Sequence, residues 1–188
     1  MGYIKEYIEQ LTTLSEQEWQ LIASYFEKRI LPKRTQLVRL GETDRYLSFI
    51  EKGVIRTYIP GDNNELTFGF SFSKEFTCAF DSFLTQQPSE YEQETLVQTT
   101  VWSISYDNLQ KIYVQTHTGN YWGRLIAEHL YLAKSKREIA LLKYSARERY
   151  LELLSTQSHI IRQIPLKYVA SYIGITPQAL SRIRRQIC

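Results

Sequence analysis

The feature that most constrains this chain is a change of hydrophobic period, made twice. Residues 3–10 and 15–27 are spaced as helices. From about 28 to 106 the chain breaks into short β-branched and aromatic runs: "TQLVRL", "RYLSFIEKG", "VIRTYI", "NELTFGFSF" and "ETLVQTTVWSISY". Gly41, Gly53 and "PGDNN" at 60–64 punctuate them, and "YIPGDNNELTF" carries a strong hairpin signal. After Tyr106 the helical period returns and persists. Strands grouped in the middle, with helices at both ends, exclude a βαβ alternation. They predict an α+β protein whose strands form an antiparallel sandwich, roll or barrel.

Ser15 followed by Glu18 predicts a capping box, with Trp19, Ile22 and Phe26 on one face of the helix it opens. Residues 107–114 suit a short helix, and 146–157 another. Between them, 119–143 contains no proline and no glycine after Gly123. Trp122, Leu125, His129, Leu132, Lys136 and Ile139 alternate at spacings of three and four, a heptad-type seam broken once by Lys136. At 1.5 Å per residue this helix is about 35 Å long. That is too long to lie wholly on so small a body, so part of it is expected to meet a second copy. The expected division is 1–118 as a roll with N-terminal helices, 119–143 as a dimerisation helix, and 144–188 as a terminal domain.

Charge is unevenly spread along the chain. Residues 1–133 hold 12 Lys+Arg against 17 Asp+Glu, whereas 134–188 hold 11 against 3. A net −5 body with a +8 end points to a polyanion that meets the end alone. Two cysteines, Cys78 and Cys188, are too few for an iron–sulfur cluster, and no disulfide framework or metal site is expected. His117, His129 and His159 carry no haem-ligand motif, so no cofactor is expected. No Ser/His/Asp, Cys/His or phosphate-loop constellation is present, which argues against an enzyme. There is no signal-peptide core and no apolar run long enough to span a bilayer, so the expected location is the cytoplasm.

"VASYIGITPQALSRIRRQIC" at 169–188 is the most informative stretch. Pro165 suits a first helical turn. Val169, Ala170 and Ile173 share a face, and Gly174 can take the left-handed conformation that ends a helix. Thr176 is a good N-cap and Pro177 a good first residue for the next helix. In that helix Ala179, Leu180, Ile183 and Ile187 form an apolar stripe, opposite Gln178, Ser181, Arg182 and Arg185. This is the layout of a helix-turn-helix whose second helix enters the major groove of double-stranded DNA. Gln suits adenine and Arg suits guanine there, while Arg184, Arg185 and Lys167 suit phosphates.

With those residues in hand, the chain resembles the CRP/FNR family of bacterial transcription regulators over roughly 10–188. "LVRLGE" at 37–42, "SFIEKGVIRTYI" at 48–59 and "ISYDNLQKI" at 104–112 resemble the family's roll; "VASYIGITPQALSRIRR" resembles its helix-turn-helix. The resemblance implies an antiparallel β-roll of the double-stranded β-helix or jelly-roll type, and a homodimer on a palindromic site, with RNA polymerase as a further partner. The family's base-reading positions fall on Pro177, Gln178 and Arg182, of which only Arg182 matches the best-known members. Members usually continue into a β-hairpin wing, whereas this sequence ends at Cys188.

Cyclic-nucleotide binders of the family carry a G-E-L-A segment and then R-[ST]-A. Here Glu75 matches the Glu, Lys74 replaces the Gly, and the Arg-Ser pair falls on Ser89 and Glu90. A cyclic phosphate would meet Glu90, Glu92 and Glu94 in place of the expected arginine. Lys74, Glu75, Ser89 and Glu90 are therefore the candidate effector pocket, with cyclic AMP not expected as the ligand and the effector unknown. Phe70, Phe72, Phe76 and Phe80 read as core rather than as an aromatic ligand site. The expected function is a DNA-binding regulator; the alternative is a sensor module whose roll, not DNA binding, is the main activity.

Overall fold

A computed structural model of the protein describes residues 1–61 and 64–187. Asp62 and Asn63 of the expected turn at 60–64, and Cys188, lie outside the described residues. The helices are α1 (Gly2–Leu11), α2 (Glu16–Ser24), α3 (Phe80–Thr85), α4 (Tyr106–Gln115), α5 (Gly119–Lys143), α6 (Ala146–Thr156), α7 (Ser158–Gln163), α8 (Leu166–Tyr172) and α9 (Pro177–Arg185). The strands are β1 (Glu27–Leu31), β2 (Gln36–Val38), β3 (Tyr46–Lys52), β4 (Val54–Ile59), β5 (Leu66–Phe72), β6 (Phe76–Thr77), β7 (Glu92–Thr95) and β8 (Thr99–Ser105). The described chain divides into two compact units. One comprises 1–57 and 70–129; the other comprises the described residues of 58–69 and those from Leu130 onward.

Two four-stranded sheets, in the orders β1-β8-β3-β6 and β2-β7-β4-β5, make the roll; residues 58–59 of β4 and 66–69 of β5 fall in the second unit. The pairs β1–β8, β3–β8, β3–β6 and β2–β7 are antiparallel. Leu31, Ile50 and Val101 from one sheet pack with Ile55 and Leu37 from the other, so the sheets share one core. This is the expected α+β roll. Its chain switches sheets at Gly53, between β3 and β4. Gly53 has φ +131, and a Cβ there would lie 2.3 Å from the Thr99 hydroxyl, so only glycine fits. Tyr7, Phe49, Phe76 and Trp122 form a cluster of edge-on and stacked rings that ties α1 and the start of α5 to the roll. Phe76 is core as read; Phe70, Phe72 and Phe80 are half-buried.

The structure corrects several local readings. The second helix stops at Ser24, and "EKRIL" becomes strand β1, paired to β8. Its first four residues are exposed, so it shows no alternation. The run from Glu94 to Tyr106 is two strands, because the chain crosses from one sheet to the other at Leu96–Gln98. Helix α3 was not expected. Asp44, buried, holds its start: Oδ2 accepts from the Ala79 N–H at 2.7 Å and Oδ1 from the Tyr46 N–H at 3.1 Å. "SHIIRQ", which carries no helix signal of its own beyond its short apolar pair, forms helix α7.

In the second unit, Tyr150, Leu153, Ile160, Ile164, Val169, Ala170, Ile173 and Leu180 are buried. Ser145 and Glu148 close a capping box at the start of α6. Lys136, the break in the seam, pairs with Glu152 of α6 at 3.3 Å.

Candidate nucleic-acid interface and effector roll

Helix α8 ends through backbone chemistry. Gly174, at φ +77, donates its N–H to the Ser171 carbonyl, and the Ile175 N–H reaches the Ala170 carbonyl, each at 3.0 Å. These two bonds are a Schellman motif, and they need the left-handed residue that glycine supplies most easily. Thr176 then caps α9, its hydroxyl accepting from the Ala179 N–H at 3.2 Å, and Pro177 occupies the first turn. Leu180 is buried, and Ala179, Ile183 and Ile187 are half-buried. Gln178, Arg182 and Arg185 share the opposite, exposed face with Ser181; Thr176, Pro177, Arg184 and Lys167 are exposed as well. The Ser181 hydroxyl donates to the Pro177 carbonyl at 2.9 Å, leaving it only an acceptor's role toward a base. Lys167 lies over the Tyr168 ring, 4.6 Å from its centroid.

The expected dimer residues separate into two groups. Trp122 is fully buried against Phe76 and Tyr113, so it anchors α5 to its own roll rather than presenting a seam. Leu125 is half-buried, while His129, Leu132 and Ile139 are exposed. Sequence reading missed Tyr131 and Leu142, which are 70% and 83% exposed on the same helix. Exposed aromatics and leucines on a 25-residue helix are the signal that could have found them.

The four expected effector residues occupy two different loops. Lys74 and Glu75 form the exposed β5–β6 turn; the Lys74 N–H bonds the Ile50 carbonyl, and the Glu75 carboxylate accepts from the Phe72 N–H. The Lys74 ammonium lies 5.2 Å from the Tyr3 ring centroid. Ser89 and Glu90 lie between α3 and β7. Ser89 is buried, its hydroxyl donating to the Tyr91 carbonyl at 2.8 Å, and Glu90 is exposed.

Sequence reading missed the roll's interior polar groups. Arg56 on β4 is 1% exposed and pairs with Glu94 on β7 at 2.9 Å. Gln93, also buried, donates its amide to the Thr57 and Thr77 hydroxyls, both at 3.1 Å, and Ser71 donates to Thr77 at 3.2 Å. A lone arginine inside the apolar run "VIRTYI" was the available signal, since a buried cation requires a partner. This cation is already matched by a carboxylate, so an incoming phosphate would have to displace Glu94.

A roll with two facing antiparallel sheets, followed by a long helix and a helix-turn-helix, defines a class of proteins. Residues 28–116 match the family described as the cyclic nucleotide-binding domain, and the roll is a domain of that type. The solved structures that share the fold include CRP/FNR-type transcription regulators. One is the c-di-GMP-responsive global regulator CLP of Xanthomonas campestris, at 20% identity and TM-score 0.69, covering 92% of this chain and 91% of that one. A regulator assigned to the crp/fnr family from Eubacterium rectale gives 17% identity and TM-score 0.71, over 93% and 83%. FixK2 of Bradyrhizobium japonicum gives 14% and 0.72, over 86% and 84%. At these identities the likeness is one of fold. No curated protein sequence matches the chain. Among the described residues no helix is long and apolar enough to cross a membrane, and no cluster of three or more potential metal ligands occurs.

Proposed function

We propose that this chain is a DNA-binding transcription regulator of the CRP/FNR type, working in the cytoplasm as a homodimer on a palindromic site. The observation that carries the reading is helix α9: capped by Thr176, seated on Leu180, and turning Gln178, Arg182 and Arg185 outward together. Arg182 and Gln178 read base edges, and Arg184, Arg185 and Lys167 hold phosphates. Residues 144–188 are the DNA-binding domain and 119–143 the dimer helix. Leu132 and Ile139, joined by Leu142, supply the apolar seam; Leu125 and His129 extend it. A parallel pairing would set two reading helices about 34 Å apart, one turn of DNA. RNA polymerase is the further partner that such a regulator addresses.

Cyclic AMP is not the controlling ligand in this reading. Ser89 stands where the phosphate-binding arginine is expected, and the buried Arg56 is neutralised by Glu94. The effector pocket stays assigned to Lys74, Glu75, Ser89 and Glu90, and the charge pattern favours a ligand without a phosphate. Selection of bound sequences from random DNA by the purified protein tests the whole reading. A palindromic consensus with salt-dependent affinity supports it, and no enrichment at low salt overturns it. Titration calorimetry with cyclic AMP tests the ligand claim; a dissociation constant of about 10 µM or tighter overturns that part.

A further inference from the structure

The basic end of the chain contains two arginines that do not face outward. The last carbonyls of α8 would be orphans of any helix end. Two of them, on Ala170 and Ser171, are taken by the Ile175 and Gly174 amides. The next two are taken by guanidinium groups. The Tyr172 carbonyl accepts from Arg137 of α5 at 3.0 Å, and the Ile173 carbonyl accepts from Arg149 of α6 at 2.9 Å. Arg149 also donates to the Leu141 and Tyr144 carbonyls at the end of α5. Arg137 stacks over the Tyr172 ring at 4.9 Å and reaches the Thr67 carbonyl of β5 at 3.4 Å. Beside it, the Ser171 hydroxyl accepts from the Thr67 N–H and donates to the Glu65 carbonyl, each at 2.8 Å. Only Ile173 and the turn at Gly174–Ile175 separate these contacts from the N-cap of α9.

We propose that Arg137, Arg149 and Ser171 are positioning residues for DNA reading: a lock that fixes the turn between α8 and α9 against α5, α6 and strand β5, and so sets the angle of the reading helix. The inference rests on the DNA-reading function proposed above. It assigns a specificity role to side chains that touch no base. A guanidinium can bond several carbonyls at fixed angles, which a lysine ammonium on a flexible stem cannot do. Charge alone therefore does not preserve the lock. Ser171 adds what neither arginine supplies, a paired donor and acceptor for the Glu65 carbonyl and Thr67 N–H at the start of β5.

The test compares Arg137→Lys and Arg149→Lys, which keep the charge, with Ser171→Ala and Ser171→Thr, in the full chain. The expected result is a fall of about tenfold in the ratio of specific to non-specific DNA affinity for both lysine variants. Their slope of log affinity against log salt stays unchanged, because no phosphate contact is lost. Ser171→Ala should lower the ratio severalfold, and Ser171→Thr should restore it. A slope reduced by about 0.9 in either lysine variant would mean a phosphate contact instead and would overturn the assignment. So would an unchanged affinity ratio and consensus in both. Hydrogen exchange separates this from the function itself. Even if the wild type bound no DNA, Arg149→Lys should speed exchange of the Ile175 and Leu180 amides about tenfold and leave the roll's amides unchanged. Equal protection in the variant would overturn the lock.

Discussion

Arginine plays opposite parts in the interior of the roll and on helix α9. Arg56 is buried inside the roll and paired with Glu94. Arg182, Arg184 and Arg185 stand exposed at the end of a helix whose other face is apolar. The first kind is costly to break, because its removal strands a largely buried carboxylate, Glu94, whose side chain is only 12% exposed. The second kind contributes little to folding, and its charges remain available to a polyanion. Net charge along the chain counts both alike. Only environment separates an arginine that holds the protein from one that binds something else.

The largest effect expected from this contrast is on stability. Arg56→Ala should destabilise the fold by about 3–5 kcal/mol in urea unfolding. The double change with Glu94→Gln should recover much of it, since no charge is then left unpaired. A small loss in the single variant would place Arg56 among the solvent-facing arginines and break the comparison.

A second buried charge should give the roll a pH signature that α9 lacks. Burial pushes the Asp44 carboxyl up from 3.8 to about 6, against the two backbone N–H groups that favour its ionised form. A raised acid binds its proton more tightly in the folded state. Its contribution is therefore favourable at low pH and lost as pH rises through about 4 to 6. Relative to Asp44→Asn, the wild type should lose about 2 kcal/mol between pH 4 and pH 7. Parallel stability curves for the two proteins would show that Asp44 titrates normally.

On the reading helix the expected effects are smaller and fall on binding. Arg182→Ala should cost about 1–3 kcal/mol at the preferred site and relax the preference there, without moving the unfolding midpoint. An unchanged consensus would mean that the wrong face has been assigned to the groove. Arg185→Ala should weaken all sequences alike and reduce the salt slope by about 0.9. A change confined to one base position would make Arg185 a reader instead.

The dimer seam sharpens the picture last. Leu132→Glu together with Leu142→Glu should convert the proposed dimer to monomer in sedimentation at micromolar concentration. A dimer that survives both changes would have to form elsewhere than on this face of α5.

Much of this was legible in the residues. The bounds of α5 follow from its freedom from proline and late glycine, and Gly174, Thr176 and Pro177 announce the turn and the start of α9 because caps depend on local backbone preference. The β-branched and aromatic runs "RYLSFIEKG" and "VIRTYI", divided by Gly53, mark β3 and β4 as surely. The failures share a cause. Strand β1 presents charges outward and is a strand only because β8 lies beside it. Trp122 shares its spacing with Leu132, yet it is buried under Phe76 while Leu132 is exposed.

What the sequence determined by itself is therefore the broad succession of helices, strands and helices, the helix caps, the turn at Gly174 and the basic, two-faced terminal helix, all set by interactions within a few residues. What only the tertiary structure decided is the company each charged or aromatic side chain keeps. Arg137 and Arg149 look like DNA contacts in a string of basic residues, but they are committed to the carbonyls that end α8. Ser171 meets a strand more than a hundred positions away. Such pairings are fixed by packing at long separation, where the desolvation of a buried group is met by whichever partner the fold brings near.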